Sequence, residues 1–140
     1  MTRKTTTIRA NVATRLTNLG IFNNVIQGSA SIDTITNTGV FPACTIVLPD
    51  GSYDDAPLDG VGDIVSTLDI SIYYKKSLGA QVMETELDVL GETVENDFES
   101  GDKTFSNSII SIVPDSFNYV IDTDSGIGVL NLTYNIKFKR

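Results

Sequence analysis

The chain contains no histidine, and among its 140 residues there is one cysteine, Cys44. Each shortage closes a class of chemistry. Without imidazole there is no serine–histidine or cysteine–histidine nucleophile and no zinc site built on histidine. One cysteine allows neither an intrachain disulfide nor a four-thiolate metal or iron–sulfur site, and its β-branched, apolar surroundings mark it as a small buried hydrophobe. A further shortage is one of sign. From Leu16 to Tyr74 there is no lysine or arginine, yet that window carries seven aspartates. Long apolar runs are missing too. No stretch approaches the roughly 20 residues that span a bilayer, and the basic opening MTRKTTTIRANVATRL lacks the continuous apolar segment of a secretory signal. A cytosolically made, soluble protein with no membrane partner is expected, and the Asn131-Leu132-Thr133 sequon, inside an expected strand, is read as chance. There is no GxxxxGK[ST], and Gly60-Val61-Gly62 is only the start of a dinucleotide pattern, without its third glycine or following helix.

What is present suffices for a core. A chain of this length buries about 70% of its unfolded surface, and 41% of its residues are apolar. One domain over residues 1–140 is expected. The net charge of −8 argues against a general grip on nucleic acid, which needs clustered lysine and arginine.

Periodicity assigns the elements. Ile8, Val12, Leu16 and Leu19 form one helical stripe, with threonines 5–7 as caps and Gly20 as the left-handed stop. Arg3, Lys4, Arg9 and Arg15 decorate the rest of this helix, as a solvated face or a docking face. A short apolar run, Ile21 to Gln27, precedes a polar stretch, and Cys44 to Leu48 reads as a strand between Pro42 and Pro49. Leu68, Ile70, Ile72 and Tyr74 alternate with polar neighbours in the clearest strand, Ile64 to Lys75. Met83, Leu87, Leu90, Val94 and Phe98 stripe a second helix over about 80–98, whose other positions, with Glu99 just beyond, carry seven acids and no base. Beyond it, Ser108–Val113 is expected to be broken by Pro114, Asp122–Gly126 is a hairpin signal, and Leu130 to Phe138 alternate as a last strand. The pattern predicts an α+β fold: a mainly antiparallel or mixed sheet with two helices packed on one face.

The acidic stretch PDGSYDDAPLDGVGD, residues 49–63, is expected to be a long loop because proline, glycine and aspartate disfavour helix and strand interiors. Its five carboxylates, Asp50, Asp54, Asp55, Asp59 and Asp63, admit three readings: a solvated loop, an acidic surface facing something that must not stick, or a site for Mg²⁺ or Ca²⁺. The spacing is not that of an EF-hand, and no lysine or histidine lies nearby to serve a metal-dependent nuclease.

Taken together, the basic helix ending Leu16-Thr-Asn-Leu-Gly20-Ile-Phe, the Phe41-Pro42-Ala43 lead into a strand, the strand Leu68 to Lys75, the acidic helix and the closing hairpin resemble the tail terminator and minor tail, or tail-completion, proteins of long-tailed bacteriophages. The likeness lies in order and pattern over nearly the whole chain. It implies an α+β virion subunit, made in the host cytoplasm, that closes a six-membered ring at the head-proximal end of the tail tube. There it would stop tube growth, touch the major tail tube protein and offer a surface to a head-closure or connector protein, with DNA only as passing cargo. It carries no catalytic residue and no cofactor. An acidic ring lumen would repel passing phosphate. The alternatives are a head-completion connector, a small metal-dependent phosphodiesterase using Asp54, Asp55, Asp59 and Asp63, and a monomeric acidic binding module.

Overall fold

The computed structural model describes residues 4–54, 62–75, 80–122 and 124–139. In chain order the elements are α1 (Lys4–Asn18), β1 (Asn24–Gln27), α2 (Ile32–Thr38), β2 (Ala43–Val47), β3 (Gly51–Asp54), β4 (Asp63–Lys75), α3 (Ala80–Ser100), β5 (Ser111–Asp122) and β6 (Ile127–Lys139). The strands form one six-stranded sheet in the order β1-β2-β4-β6-β5, with β3 also paired to β4. Only β1 and β2 run parallel; the other pairings are antiparallel. The architecture is the expected α+β one.

Strand alternation sorts the two faces. Cys44 and Ile46 of β2, Leu68, Ile70 and Ile72 of β4, and Leu130 to Phe138 at every second position of β6 point to one side, where they meet α1 and α3 in the main core. α1 forms because Ile8, Val12 and Leu16 fall on one stripe, all fully buried, and Gly20, at φ +73°, ends the segment in a conformation that costs glycine little. In α3, Met83, Leu87, Val94 and Phe98 are buried as expected. The middle of the stripe, however, is Gly91 and not Leu90, which is only partly buried. A Cβ at Gly91 would lie 2.6 Å from Leu130 Cδ2, and one at Gly128 of β6 would lie 2.6 Å from Met83 Cγ. Two missing side chains therefore let α3 lie close against β6.

The opposite face is thinner. Ile35 of α2 packs there with Ala43, Tyr73, Ile127 and Val129; further along it turns polar, with the Ser71 hydroxyl donating to Asn131 Oδ1 at 2.6 Å. α2 falls in a stretch with no apolar period. Its ends are nonetheless specified: the Ser31 side chain accepts from the Thr34 N–H, and Gly39 closes the helix at φ 65°. The Phe41–Pro42 peptide leading into β2 is cis.

Two strand expectations need correction. The acidic stretch is not loop throughout, since Gly51–Asp54 pairs with β4 from Gly51↔Ser66 to Asp54↔Asp63. β2 and β3 thus lie along the same edge of β4, Val47↔Asp69 giving way to Gly51↔Ser66 across one extra residue, a bulge that absorbs Pro49 and Asp50. Likewise Pro114 does not break its strand. β5 is continuous from Ser111 to Asp122, with a register shift between Pro114 and Ser116. An edge strand tolerates proline because no ladder partner awaits its missing N–H.

Candidate interaction surfaces

The acidic stretch divides. Asp50 belongs to the bulge, where its carbonyl accepts from the Ser66 hydroxyl and its carboxylate from Thr67 Oγ1 at 2.7 Å. Asp63, opposite Lys139 in the β4–β6 register, lies 3.5 Å from Lys137 Nζ and 3.4 Å from Lys139 Nζ. The sequence window holds no base, yet the sheet brings two from the last strand. Asp54 ends β3, and Asp55 and Asp59 lie outside the described residues. Among the described residues no group of three or more histidine, cysteine, aspartate or glutamate side chains is placed to hold a metal ion. No helix among them is long and apolar enough to cross a membrane.

The basic helix divides as well. Arg15 does not face outward: it turns to α3, where Nε and Nη2 donate to Asp97 Oδ2 at 3.0 and 2.8 Å and Nη2 also donates to the Asp97 carbonyl at 2.9 Å. Nη1 donates to the Asp102 carbonyl, and the guanidinium sits 4.6 Å from the Phe105 ring centroid. Gly101 makes room, since a Cβ there would come within 2.5 Å of Arg15 Nη2. This clamp holds the 101–110 segment that leads into β5. Asn11 Nδ2 adds a 2.9 Å bond to the Phe105 carbonyl, over three consecutive residues with positive φ, Phe105, Ser106 and Asn107. Asp102 orders the same turn by accepting from the Thr104 hydroxyl and from the N–H groups of Thr104 and Ser106. Those bonds, the Thr104 hydroxyl first, hold its carboxyl down to about 2. Lys4 and Arg9 are half-buried on α1, where Arg9 Nη2 donates to Thr6 Oγ1 at 3.4 Å; Arg3 lies outside the described residues.

A third surface has no counterpart in the sequence reading. On the helix face, Phe117 of β5 stands opposite Leu132 of β6. Leu132 is buried, whereas Phe117 is 66% exposed. α3 reaches β5 at Tyr119 but leaves Phe117 uncovered. Between them runs a groove of about 600 Å³, floored by Phe117, Leu132, Ile112 and Tyr134 and walled by Glu95 and Glu99. It continues along α3 past Glu92 and Asp88 to Tyr119. The Tyr119 hydroxyl donates to Asp88, which raises that phenol to about 12. Partial burial, and then Glu92, Glu99 and Asp88, push the Glu95 carboxyl above its ordinary value. Val113 and Val120 are more than half exposed on the other face of the same strand. Buried Cys44 offers no chemistry here, its thiol pushed up to about 12 by desolvation.

No protein-family model and no curated protein matches the chain. Among solved structures, the fold is similar to that of a protein chain in the virion of a native gene transfer agent particle, with a TM-score of 0.50 and 9% sequence identity over 95% of each chain. At that identity the likeness is one of fold.

Proposed function

We propose that this chain is a structural, non-enzymatic subunit of a phage-type virion, which joins copies of itself in a ring, six-membered, at the head-proximal end of a tail tube. There it ends tube polymerisation and presents a surface to the head-closure protein. The observation that carries the reading is the end-to-end fold likeness to a virion chain, in accord with the tail-terminator pattern of the sequence. The edge strand supports it: a long strand with apolar side chains exposed on both faces is a liability in a monomer and an asset in an assembly.

In this reading the acidic stretch 49–63, with Asp50, Asp54, Asp55, Asp59 and Asp63, faces the ring lumen, where like charge keeps passing DNA from sticking. Mass photometry of the purified protein, with add-back to growing tail tubes, tests the ring. Closed oligomers and tubes of uniform length are expected. A protein that stays monomeric and leaves tube lengths irregular overturns the reading, and capture by portal-side rather than tube-side partners moves the ring to the head-completion position. Asp54→Asn, Asp55→Asn and Asp59→Asn together should leave the melting temperature unchanged and slow DNA delivery from assembled particles. Normal delivery sinks the lumen assignment, and destabilisation by EDTA revives a metal site.

A further inference from the structure

We infer that the groove between α3 and β5 of one copy is the seat for the α1 flank bearing Arg9 on the neighbouring copy. The inference rests on the ring reading above and names the contact that would close it. A ring built from one kind of subunit needs two different, mutually complementary patches on each copy, set so that the head of one meets the tail of the next. The sheet supplies them at its two ends. β5 is one edge and β1 the other, and α1 packs over β1 and β2, so the acidic groove and the basic helix flank opposite edges.

The chemistry of the two patches matches. The groove has an apolar floor and a wall of Glu92, Glu95 and Glu99, and none of the ion pairs among the described residues involves these three. Among the described residues, Lys103 is the one base lining it. Across the molecule, Arg9 lies six residues before Arg15, about 120° around the helix from it. Because Arg15 is spent on α3, Arg9 sits on the flank turned away from α3, toward the β1 edge. An arginine suits this seat twice over. Its guanidinium answers the glutamates, while its stem and planar head cover an exposed ring. The exposed ring of Phe117 and the half-buried ring of Tyr119 stand edge to face, 6.0 Å apart, and the molecule already stacks Arg15 on Phe105 in this manner.

The test is a charge swap read by sedimentation velocity, with far-UV melts to verify folding. Arg9→Glu and Glu95→Lys, each alone, should weaken self-association at least about tenfold, because each sets like charges face to face. The double variant should recover most of the loss. Phe117→Ser should weaken association with its melt unchanged. If wild type assembles and the single reversals assemble equally well, the groove is not the seat, though the ring reading stands. If the double variant is no better than the singles, the two residues do not meet and the inference falls. A wild type that stays monomeric in solution and on tail tubes removes the ring and this contact together.

Discussion

β4 and β5 flank the same strand and are nearly equal in length, 13 and 12 residues, yet they do opposite things. Along β4, Leu68, Ile70 and Ile72 are fully buried, and β2, β3 and β6 occupy both of its hydrogen-bonding edges. β5 shares β6's ladder from Ser111 to Asp122 but, among the described residues, has no strand on its far side, and most of its residues are exposed. Pairing alone therefore does not decide what a strand contributes. β4 supplies stability, since each core side chain it buries is worth about 1.5–3 kcal/mol. β5 supplies surface, and Phe117, Val113 and Val120 are the parts of it that a folded monomer leaves in water.

The most direct way to break that contrast is to truncate one residue on each strand. Ile70→Ala should cost about 2–5 kcal/mol, from lost transfer energy and the cavity left behind. Phe117→Ala, at a side chain already two-thirds exposed, should change stability by less than about 0.5 kcal/mol. Chemical denaturation measures both. Equal losses would mean that β5 is core, and that the groove beside it is an accident of packing.

The sequence reads the β4 half of this comparison far better than the β5 half. Alternation at Leu68–Tyr74 and Leu130–Phe138 and the stripes of α1 and α3 are strong periodic signals, and the structure has those elements where periodicity puts them. No apolar period announces α2, although Ser31 and Gly39 are legible caps. β3 was hidden by the glycine and aspartate that usually mark loops; its pairing depends on a bulge at Asp50 that no local pattern announces. A stripe read from apolar residues runs through Leu90, because a glycine carries no apolar signal, whereas here Gly91 is a point of close approach to β6. The groove was invisible for another reason. Phe117, Tyr119 and Ile121 alternate like any half-buried strand, and only the reach of α3 decides which of them are covered.

A second test asks what holds the approach to β5. The Arg15 clamp joins α1, α3 and the 101–110 segment through hydrogen bonds to Asp97 and Asp102, with 19% and 27% of the Arg15 and Asp97 side chains exposed. Arg15→Ala should cost about 1.5–3 kcal/mol, the usual loss for hydrogen bonds to a charged group, and should raise amide exchange across 102–110. Arg9→Ala, on the same helix, should be close to neutral in the monomer. Two equally mild variants would show that the clamp is dispensable and that Arg15 belongs with Arg9 as surface charge.

The smallest effects lie in the acids on the β5 side, and pH separates two of them by sign. Asp102 is held below its ordinary 3.8, so its stabilising share is intact above that value and is lost as pH falls toward 2. Glu95 is shifted the other way, above its ordinary 4.5, by desolvation and then by Glu92, Glu99 and Asp88. Its share is fully present below 4.5 and is lost as pH rises through the raised value. Both groups are largely or wholly solvent-facing, and screening keeps the effects small. Melting temperatures taken from neutral pH down to about 4.5 should show Glu95→Gln flattening a slight rise seen in wild type, while Asp102→Asn leaves that rise alone and softens the fall below 3.8. The other ionisable groups lining the groove, Lys103, Asp115 and Tyr134, are common to both variants, so they cancel in the comparison. If Glu95→Gln instead lowers stability at neutral pH, its carboxylate has a partner within the monomer. The wall beside β5 would then not be the unsatisfied surface that sets this strand apart from β4.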